Sequence, residues 1–578
     1  MNHRFRITAL FAFSLTFAPA QTERKSLVYS GNFQNGGFDS LTFVNSVVGW
    51  DLFFNAGFRG GSTVIGNVEG GNVWFGHEAF VRPPGAPAGL VTYTNPAAGA
   101  ANELDFHATT VGHVLAGSGY VAPGSYTYVG LGMAPEAKLV SGAIATGFST
   151  TDVGSFSTTE ESVVTAYQAF FKGVGLGSGI AQPDVINSSW GGSDPSASSP
   201  ELLAIDGLAR QNASVAFVVS AGNNGTDAVS APGSGFNNIS VGSLGGASFL
   251  QPSGFSSRGL TDFHNAETGV TLTGVRAAVD IAAPGERLFL AAYLGDSGSI
   301  GAALPGFVQQ PSPTDQYFTN MDGTSYSAPI VAGGIALLKD VAKTDFFVNH
   351  NDNADAFDTR VIKSVLMAGA KETEGWNNGQ NSMNVTTQAL DLRTGAGALD
   401  LVAAADVYFF GTRELAADGG GEIADVGWDA ATIDLGSTFE YVFANEFNTE
   451  MALTVALNWF SVREFDDLSQ TGDDVAFSNL DLQVWSVDGS GQFLAKVGES
   501  MSTYNNTEFL RLDSLASGRY GVRVVFDSMV FDTTDLVTSE YYGLAWRAVS
   551  IPEPGALLLF FIGAGTMLRR RRILDRAP

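Results

Sequence analysis

The pattern of apolar and polar positions divides the chain into two regions of different secondary structure. From about residue 60 to 400, short apolar runs alternate with stretches of helical periodicity, and the runs at 183–192 and 215–223 are continuously apolar and end in small residues. Such runs are typical of parallel strands that are buried on both faces. The sequence therefore predicts an α/β domain at 61–410, with a parallel β-sheet flanked by helices.

After a glycine-rich stretch at 419–421, the period of the pattern changes to two. The sequences LTVALNWF, NLDLQVW, GRYGVRVVF and YYGLAWRAV alternate apolar and polar positions. This alternation is typical of antiparallel strands with one buried face and one face in water. We therefore predict an all-β antiparallel sandwich domain at 411–549.

The two ends of the chain predict export. Residues 1–20 have basic residues, an apolar run and a final Ala-Pro-Ala, the layout of a signal peptide that is cut after Ala20. Residues 551–574 combine a Pro-Glu-Pro triplet, a short apolar helix and an arginine cluster. This tail resembles the PEP-CTERM sorting signal, which implies a Gram-negative-type bacterium, processing by exosortase-type machinery and transient membrane association. A plain membrane anchor, with a short transmembrane helix, is the alternative interpretation.

Composition narrows the classes of function. The chain of 578 residues has 58 acidic and 30 basic residues, a net charge of −28, which argues against nucleic acid as a partner. It has no cysteine, so disulfides, thiol catalysis and cysteine-based metal sites are excluded. Its 70 glycines predict many tight turns and close backbone contacts. The segment 21–60 has no role that its sequence indicates.

The strongest chemical signal is the sequence MDGTSYSAPIVAGG, which begins at Met321. Small residues surround Ser325, and a helical pattern follows, with Pro329 expected in about the first turn. A serine at a helix N-terminus has free N–H groups and the helix dipole directed at any oxyanion that forms on its substrate. The pattern Gly-Thr-Ser-x-Ser-Ala-Pro resembles the nucleophile motif of the subtilisin family of serine peptidases, which implies that Ser325 is the nucleophile.

The same resemblance implies a catalytic histidine at the start of a helix. His107 in DFHATTVGHVLAG fits the family's pattern, with threonine, valine and alanine-glycine at the expected later positions. His113 is the rival. It lies six residues further on, roughly 240° around a helix, so the two histidines cannot both face Ser325. Aligning all the later positions together favours His107.

Two further segments match the family. SAGNNG ends a buried run with Asn223, which resembles the family's oxyanion donor, with the Ser325 backbone N–H as the second donor. NSSWGG resembles the segment that lines the primary specificity pocket, so Ser189, Trp190 and Gly191 are substrate-binding candidates. The resemblance covers about residues 60–405. The β-rich region resembles the accessory sandwiches that follow bacterial subtilase domains.

The acid of the triad precedes the histidine in this family. Its usual pattern, Val-Ile-Asp-x-Gly, aligns with Asn-Val-Glu-Gly-Gly, so Glu69 stands where the family has aspartate. A glutamate can also orient an imidazole, and we expect the permissive Gly70-Gly71 turn to let the backbone retreat and absorb the longer side chain. Asp105, two residues before His107, is the competing acid.

These features predict an exported serine endopeptidase that hydrolyses proteins or peptides through an acyl-enzyme, at the cell surface, in the extracellular matrix or in the medium. No organic cofactor and no catalytic metal are implied. Many subtilases bind calcium for stability, but no ligand spacing in this chain locates a site. The alternative function is a surface or matrix adhesion protein on a catalytically weak subtilase scaffold, which the sandwich, the tail and the altered acid suggest. Intact Ser325, His107 and Asn223 argue against it.

Overall fold

The computed structural model describes residues 44–80, 91–94, 103–121, 128–149, 155–172, 182–293, 316–344, 354–415 and 419–551, with short strands within 29–43 and at 310–311. The predicted signal peptide and, apart from residue 551, the predicted sorting tail lie outside the described residues. Within the described part of the chain, no helix has both the length and the apolar character needed to span a membrane.

A sheet of eight strands forms the centre of the α/β domain. In chain order its strands are β1 (Val64–Glu69), β2 (Val91–Tyr93), β3 (Lys138–Ala143), β4 (Val185–Ser188), β5 (Ala216–Ser220), β6 (Ile239–Gly245), β7 (Gln251–Pro252) and β8 (Ile281–Pro284). Their order in the sheet is β7-β6-β5-β4-β1-β3-β2, with β8 also beside β6. All pairs are parallel except β6 with β7. This confirms the predicted parallel sheet.

Helices cover both faces of this sheet. They are α1 (Val44–Val47), α2 (Trp50–Ala56), α3 (Phe106–Ala116), α4 (Glu160–Lys172), α5 (Pro200–Gln211), α6 (Thr324–Ala342), α7 (Thr359–Gly369) and α8 (Leu401–Phe409). In β1, Ile65 packs in the core that includes α3 and α6. Val64 and Val68 point to the opposite core, which includes α4 and α5. The continuously apolar strands therefore reflect burial on two faces.

Short strands and turns complete this domain. They are Tyr29–Ser30 with Thr42–Phe43, Phe33–Gln34 with Gly37–Phe38, Ser118–Val121 with Tyr128–Leu131, Gly147–Phe148 with Phe156–Ser157, Thr261–Asn265 with Val270–Arg276, and Gln316–Met321 with Leu288–Ala292 and Gln310–Pro311, beside the 3₁₀ turns Glu78–Phe80 and Ala354–Phe357.

Part of the segment 21–60, for which the sequence indicated no role, packs in the core of the α/β domain. Trp50 and Phe53 of α2 are buried, and the Trp50 indole N–H donates to the carbonyl oxygen of Met133 at 2.7 Å. A Cβ on Gly49 would lie 2.7 Å from the side chain of Val402, so α2 and the start of α8 are in close contact. The core of the α/β domain thus includes residues that precede residue 61, the start of the domain predicted from the sequence.

Helix α6 is buried along its whole length, and it carries Ser325 as its second residue. Pro329 is the sixth residue of the helix and lies in its second turn, one turn later than expected. Because proline has no N–H, the carbonyl oxygen of Ser325 receives no helical hydrogen bond from position 329.

Two packed sheets form the β-rich part of the structure, and all of their strands except Val385–Thr386 follow the α/β domain in the chain. Their strands are β9 (Val385–Thr386), β10 (Thr412–Arg413), β11 (Gly421–Ile423), β12 (Val426–Asp434), β13 (Thr438–Phe443), β14 (Met451–Trp459), β15 (Val462–Asp466), β16 (Thr471–Val487), β17 (Phe493–Ser500), β18 (Thr507–Leu515), β19 (Arg519–Asp532) and β20 (Ser539–Ser550). One sheet has the order β9-β17-β16-β19-β13-β11 with β15 beside β16, and the other has the order β10-β12-β20-β14-β18. Pairs are antiparallel except those of the short strands β9, β10 and β11. This confirms a β-sandwich, and the four alternating sequences lie in β14, β16, β19 and β20.

Glycines bring the sandwich into direct backbone contact with two helices. A Cβ on Gly543 of β20 would lie 2.5 Å from the backbone of Arg360 and Val361 in α7. A Cβ on Gly472 of β16 would overlap the backbone of Leu203 in α5. Sandwich residues such as Trp428 and Phe509 belong to the same buried cluster as α7 and α8. The core of the α/β domain therefore extends onto one sheet of the sandwich, whose interior forms a separate buried cluster.

A buried ion pair reinforces this junction. Arg463 of β15, which is 1% exposed, contacts Asp206 of α5 at 2.9 Å and Asp474 of β16 at 3.1 Å. Removing one partner of such a pair leaves a buried charge uncompensated, which costs about 3–5 kcal/mol. The pair therefore fixes the position of α5 against the sandwich.

Replacing Gly543 by alanine tests this contact. We expect Gly543→Ala to lower the free energy of unfolding by about 1–3 kcal/mol, because the new methyl group forces the β20 and α7 backbones apart. Gly489→Ala is the matched control, since nothing lies within 4 Å of a Cβ at that exposed turn. Denaturant titration of both variants measures the difference. Equal stability of the two would contradict the close packing.

Candidate active site

The side chains of Glu69 and His107 meet where the central strand ends and helix α3 begins. Oε2 of Glu69 lies 2.9 Å from Nδ1 of His107. The Glu69 side chain is fully buried, whereas the His107 side chain is 26% exposed. A carboxylate at Nδ1 selects the tautomer in which Nε2 accepts a proton. The pair therefore has the geometry of an acid that orients a base.

The main chain of Ser189 connects this pair with Ser325. Its N–H donates to Oε1 of Glu69 at 2.9 Å, and its carbonyl oxygen accepts the Ser325 hydroxyl at 3.1 Å. Ser189 follows β4, in which Ser188 pairs with Val68 of β1, so the sheet register brings Ser189 beside Glu69. One residue thus links the carboxylate to the serine.

The start of α6 faces the start of α3. The ring of Tyr326, the residue after Ser325, lies 6.2 Å from the His107 ring between centroids. Ser325 is buried except for 8% of its surface. Because its hydroxyl donates to Ser189, it must turn towards His107 before it can transfer a proton.

Asn223 lies beside the same helix terminus. Its Oδ1 accepts hydrogen bonds from the N–H and the hydroxyl of Thr324, both at 2.9 Å. Two donors on one atom fix the orientation of the amide, so Nδ2 is the end turned away from Thr324. The amide is thereby presented as a donor at the N-terminus of α6.

Asp105 and His113, the competing acid and the rival histidine, make other contacts. The Asp105 carboxylate accepts the N–H of Ala108 at 3.0 Å and caps α3. His113 is buried, and its Nδ1 accepts the N–H of Ala291 at 2.9 Å. The structure therefore brings Glu69 rather than Asp105 to the His107 ring, and the ring of Tyr326, the residue after Ser325, lies near that of His107.

The other binding candidates follow Ser189. Trp190 is half-buried against the core on the α4 and α5 face of the sheet, and Gly191 is exposed. Gly192 then exchanges two backbone hydrogen bonds with Ala231, at 2.9 and 3.0 Å. Gly191 is thus an exposed residue between Ser189 and this backbone pair.

The surroundings favour the charged form of the imidazole. Burial lowers the pKa of His107, but the charge and hydrogen bond of Glu69, followed by the charge of Asp105, outweigh burial and raise it above its ordinary value. Burial also raises the pKa of Glu69, and His107 and the Ser189 N–H oppose this rise.

The model of the Subtilase family (Peptidase_S8) matches residues 91–397, more than half of the chain. The chain belongs to the subtilase family. It is accordingly a subtilisin-like serine peptidase, with proteins or peptides as substrates. The match includes His107, Asn223 and Ser325, and it begins after Glu69. The assignment of Glu69 as the acid therefore rests on its contact with His107 and not on the family match.

The chain matches several solved peptidase structures. The prenylagaramide maturation protease PagA is 19% identical with a TM-score of 0.42, over 63% of this chain and 99% of PagA. The self-cleaved protease domain of PatA is 20% identical with a TM-score of 0.38, over 60% of this chain and 96% of that domain. The serine protease of Aeromonas sobria is 13% identical with a TM-score of 0.43, over 86% and 90% of the two chains. No curated protein matches the chain.

Three contributions to the subtilase site were missed in the sequence. The cap by Asp105 had a signal, an aspartate directly before a helical pattern. Thr324, which orients Asn223, lies inside the nucleophile motif but shows no partner there. The Ser189 main chain has no signal in its side chain, because its position follows from the register of the sheet.

Removing the Glu69 charge tests which carboxylate controls the imidazole. We expect Glu69→Gln to lower the pKa of His107 more than Asp105→Asn does, since Glu69 supplies both a charge and a hydrogen bond and Asn retains the helix cap. Histidine NMR titration, with the His107 signal assigned from a His107→Gln variant, measures both shifts. A larger decrease in Asp105→Asn would move the acid role to Asp105.

Proposed function

We propose that this subtilase is an exported serine endopeptidase that cleaves peptide bonds through an acyl-enzyme, with Glu69, His107 and Ser325 as its triad. The 2.9 Å contact between Glu69 and His107, beside the helix that carries Ser325, is the observation that carries the proposal. A buried carboxylate on an imidazole next to a helix-terminal serine has the arrangement that nucleophilic catalysis requires.

The reaction has two steps, formation of the acyl-enzyme and its hydrolysis. Ser325 Oγ attacks the substrate carbonyl carbon while its proton passes to Nε2 of His107. Glu69 stabilises the resulting imidazolium without taking the proton. His107 then gives that proton to the leaving amine, and the peptide bond breaks. A water molecule, deprotonated by His107, hydrolyses the acyl-enzyme and restores the Ser325 hydroxyl.

Two hydrogen-bond donors stabilise the negative charge that develops on the substrate carbonyl oxygen. They are Nδ2 of Asn223 and the backbone N–H of Ser325, at the positive end of the α6 dipole. Thr324 orients the first donor through its two bonds to Oδ1. Because these donors are held before the reaction, they stabilise the oxyanion without reorganising.

The length of the glutamate is compatible with this role because both its oxygens are held. Oε2 contacts His107 and Oε1 accepts from Ser189, so the additional rotatable bond is fixed at its far end. An aspartate on the same backbone would draw the carboxylate back by about one C–C bond. A misplacement of about 1 Å can cost about 10²-fold in rate.

The proposal includes export and sorting by exosortase-type machinery, because segments 1–20 and 551–574 resemble a signal peptide and a sorting signal. Stabilisation by calcium stays a prediction. Among the residues that the structure describes, no group of three or more histidines or carboxylates has an arrangement that could hold a metal ion.

A fluorophosphonate probe, which reacts only with an activated serine, tests the triad on the purified protein. We expect the wild type to label and Ser325→Ala not to. Labelling should slow by roughly 10⁴-fold in Glu69→Gln, because the wrong tautomer is then favoured, and by about 10²-fold in Glu69→Asp. Asp105→Asn is the control that keeps the cap and a near-normal rate.

Two outcomes would contradict this assignment. Slow labelling in Asp105→Asn with a normal rate in Glu69→Gln would make Asp105 the acid. A wild type that labels at no pH would favour a surface or matrix structural protein on an inactive scaffold.

Replacing Asn223 tests the oxyanion donors. We expect Asn223→Ala to lower kcat by about 10²–10³-fold, a magnitude established on subtilisin itself, with a much smaller change in KM. Thr324→Val should lower kcat as well, because it removes one of the two bonds that orient the amide, whereas Thr324→Ser keeps the hydroxyl and the rate. Peptide hydrolysis kinetics measure all three variants, and an unchanged kcat in Asn223→Ala would exclude it as a donor.

A further inference from the structure

A small cavity lies where the α/β domain meets the sandwich. The α/β domain contributes Arg276 and, from α7, Lys363 to its lining. The sandwich contributes Asn505 and Thr507, at the start of β18. The cavity has room for a group of about the size of one water molecule. A group held there would therefore lie between the two domains.

Arg276 brings a buried positive charge to this cavity. It is 3% exposed, and among the described residues its guanidinium group forms no ion pair. Its Nη2 donates to the carbonyl oxygens of Ser234 and Gly235, and the guanidinium carbon lies 3.9 Å from the centroid of the Phe236 ring. A buried charge is costly unless an opposite charge is in contact with it. The surroundings of Arg276 therefore favour a negatively charged neighbour.

The other end of the guanidinium group has no acceptor. Nη1 of Arg276 is buried and makes no hydrogen bond to any described residue. A buried N–H without an acceptor costs about 1–3 kcal/mol, and more on a charged group. Because hydrogen bonds between two charged groups are the strongest kind, an anion is the acceptor that such an N–H favours most.

The two other charged residues of the lining neutralise each other. Lys363 contacts Oδ1 of Asp280 at 2.8 Å, and Oδ2 of Asp280 accepts the N–H of Ser240 at 2.8 Å. Lys363 also donates to the carbonyl oxygen of Asn238 at 3.1 Å. The carboxylate is thus fully occupied by its own partners. The charge of Arg276 is the one in the lining that stays unbalanced, in a chain whose net charge is −28.

The pKa of Arg276 agrees with this imbalance. Burial, followed by the charge of Arg463, lowers the pKa to about 10, so the group is still charged at neutral pH. The carboxylates that oppose the decrease lie beyond contact distance; they are Asp206, Asp280 and Asp194. A bound anion would oppose the decrease from within the cavity.

Asn505 shows what a water molecule would and would not satisfy. Its Nδ2 donates to the carbonyl oxygen of Gln388 at 3.2 Å, whereas its Oδ1 is buried and has no partner among the described residues. One water molecule would accept from Nη1 of Arg276 and donate to Oδ1. It would leave the guanidinium charge uncompensated, however. The charge of Arg276 therefore favours an anion at Nη1.

We propose that this cavity binds one small inorganic anion of the size of chloride against Nη1 of Arg276, and that the anion stabilises the contact between the α/β domain and the sandwich. The size of the cavity excludes larger anions such as sulfate and phosphate. The site is remote in its chemistry from the triad, and the proposal does not depend on peptidase activity.

Bromide replaces chloride in such sites and is visible by anomalous diffraction. In crystals of the full protein grown with sodium bromide, we expect an anomalous peak in contact with Nη1 of Arg276. Crystals of Arg276→Met should lack this peak and keep any bromide bound elsewhere. A wild-type cavity that holds only water, without an anomalous signal, would overturn the proposal.

The linkage of chloride to stability is measured by denaturant unfolding in sodium chloride and in sodium gluconate, whose anion is too large for the cavity. At equal sodium concentration, the unfolding constant of the wild type should fall about tenfold for each tenfold rise of chloride above its Kd. Arg276→Met should remove this dependence. Arg258→Met is the matched control that keeps it, because Arg258 also donates to two backbone carbonyl oxygens but does not line the cavity.

The wild-type measurements decide the matter even if Arg276→Met does not fold. Equal unfolding constants in chloride and gluconate would show that any bromide in the crystal is bound only at crystal concentration, and would overturn the stabilising role. A chloride effect of the same size in Arg276→Met would place the responsible anion elsewhere.

Discussion

A buried carboxylate is the constraint on which the rest of the site depends. Glu69 has no exposed side-chain surface, and an unpaired charge in such a position would cost several kcal/mol. Its oxygens are satisfied by His107 on one side and by the Ser189 main chain on the other. The first contact fixes where α3 must begin, and the second fixes the segment after β4. Since the Ser189 carbonyl oxygen also accepts the Ser325 hydroxyl, the same carboxylate indirectly positions the N-terminus of α6.

The glycines after Glu69 serve a different purpose from the one that the sequence suggested. The expectation was a permissive turn that lets the backbone retreat, but neither Gly70 nor Gly71 has a positive φ. A Cβ on Gly71 would lie 2.7 Å from the Asp105 Cβ and from the carbonyl oxygen of Glu103. Glycine is therefore required because the segment before His107 lies directly against the segment after Glu69. This close approach brings the histidine within reach of the acid, and the two oxygens of Glu69 fix the longer side chain.

The sequence predicted the parallel sheet and the sandwich and singled out Glu69, His107 and Ser325 as candidates, because each depends on local signals. Burial on two faces leaves a continuous apolar run, and the nucleophile motif leaves a fixed spacing. Contacts made by the main chain left no such signal. The role of Ser189 depends on the register of β4 against β1, and the contact of Gly543 with α7 joins positions that are far apart in the chain. Periodicity shows which face of a strand is buried, but not what covers it.

The sandwich that covers α5 affects the site because α5 lies between two strands that lead to site residues. Helix α5 connects β4, which leads to Ser189, with β5, which leads to Asn223. The sandwich holds this helix from outside, through the backbone contact at Gly472 and the buried pair of Arg463 with Asp206. A connection that is packed on both sides has few alternative positions, so the strand ends that it joins are held as well. The sandwich, which the sequence suggested as an accessory domain, is in this sense part of the framework that keeps the oxyanion donor and the Ser189 main chain at a fixed separation.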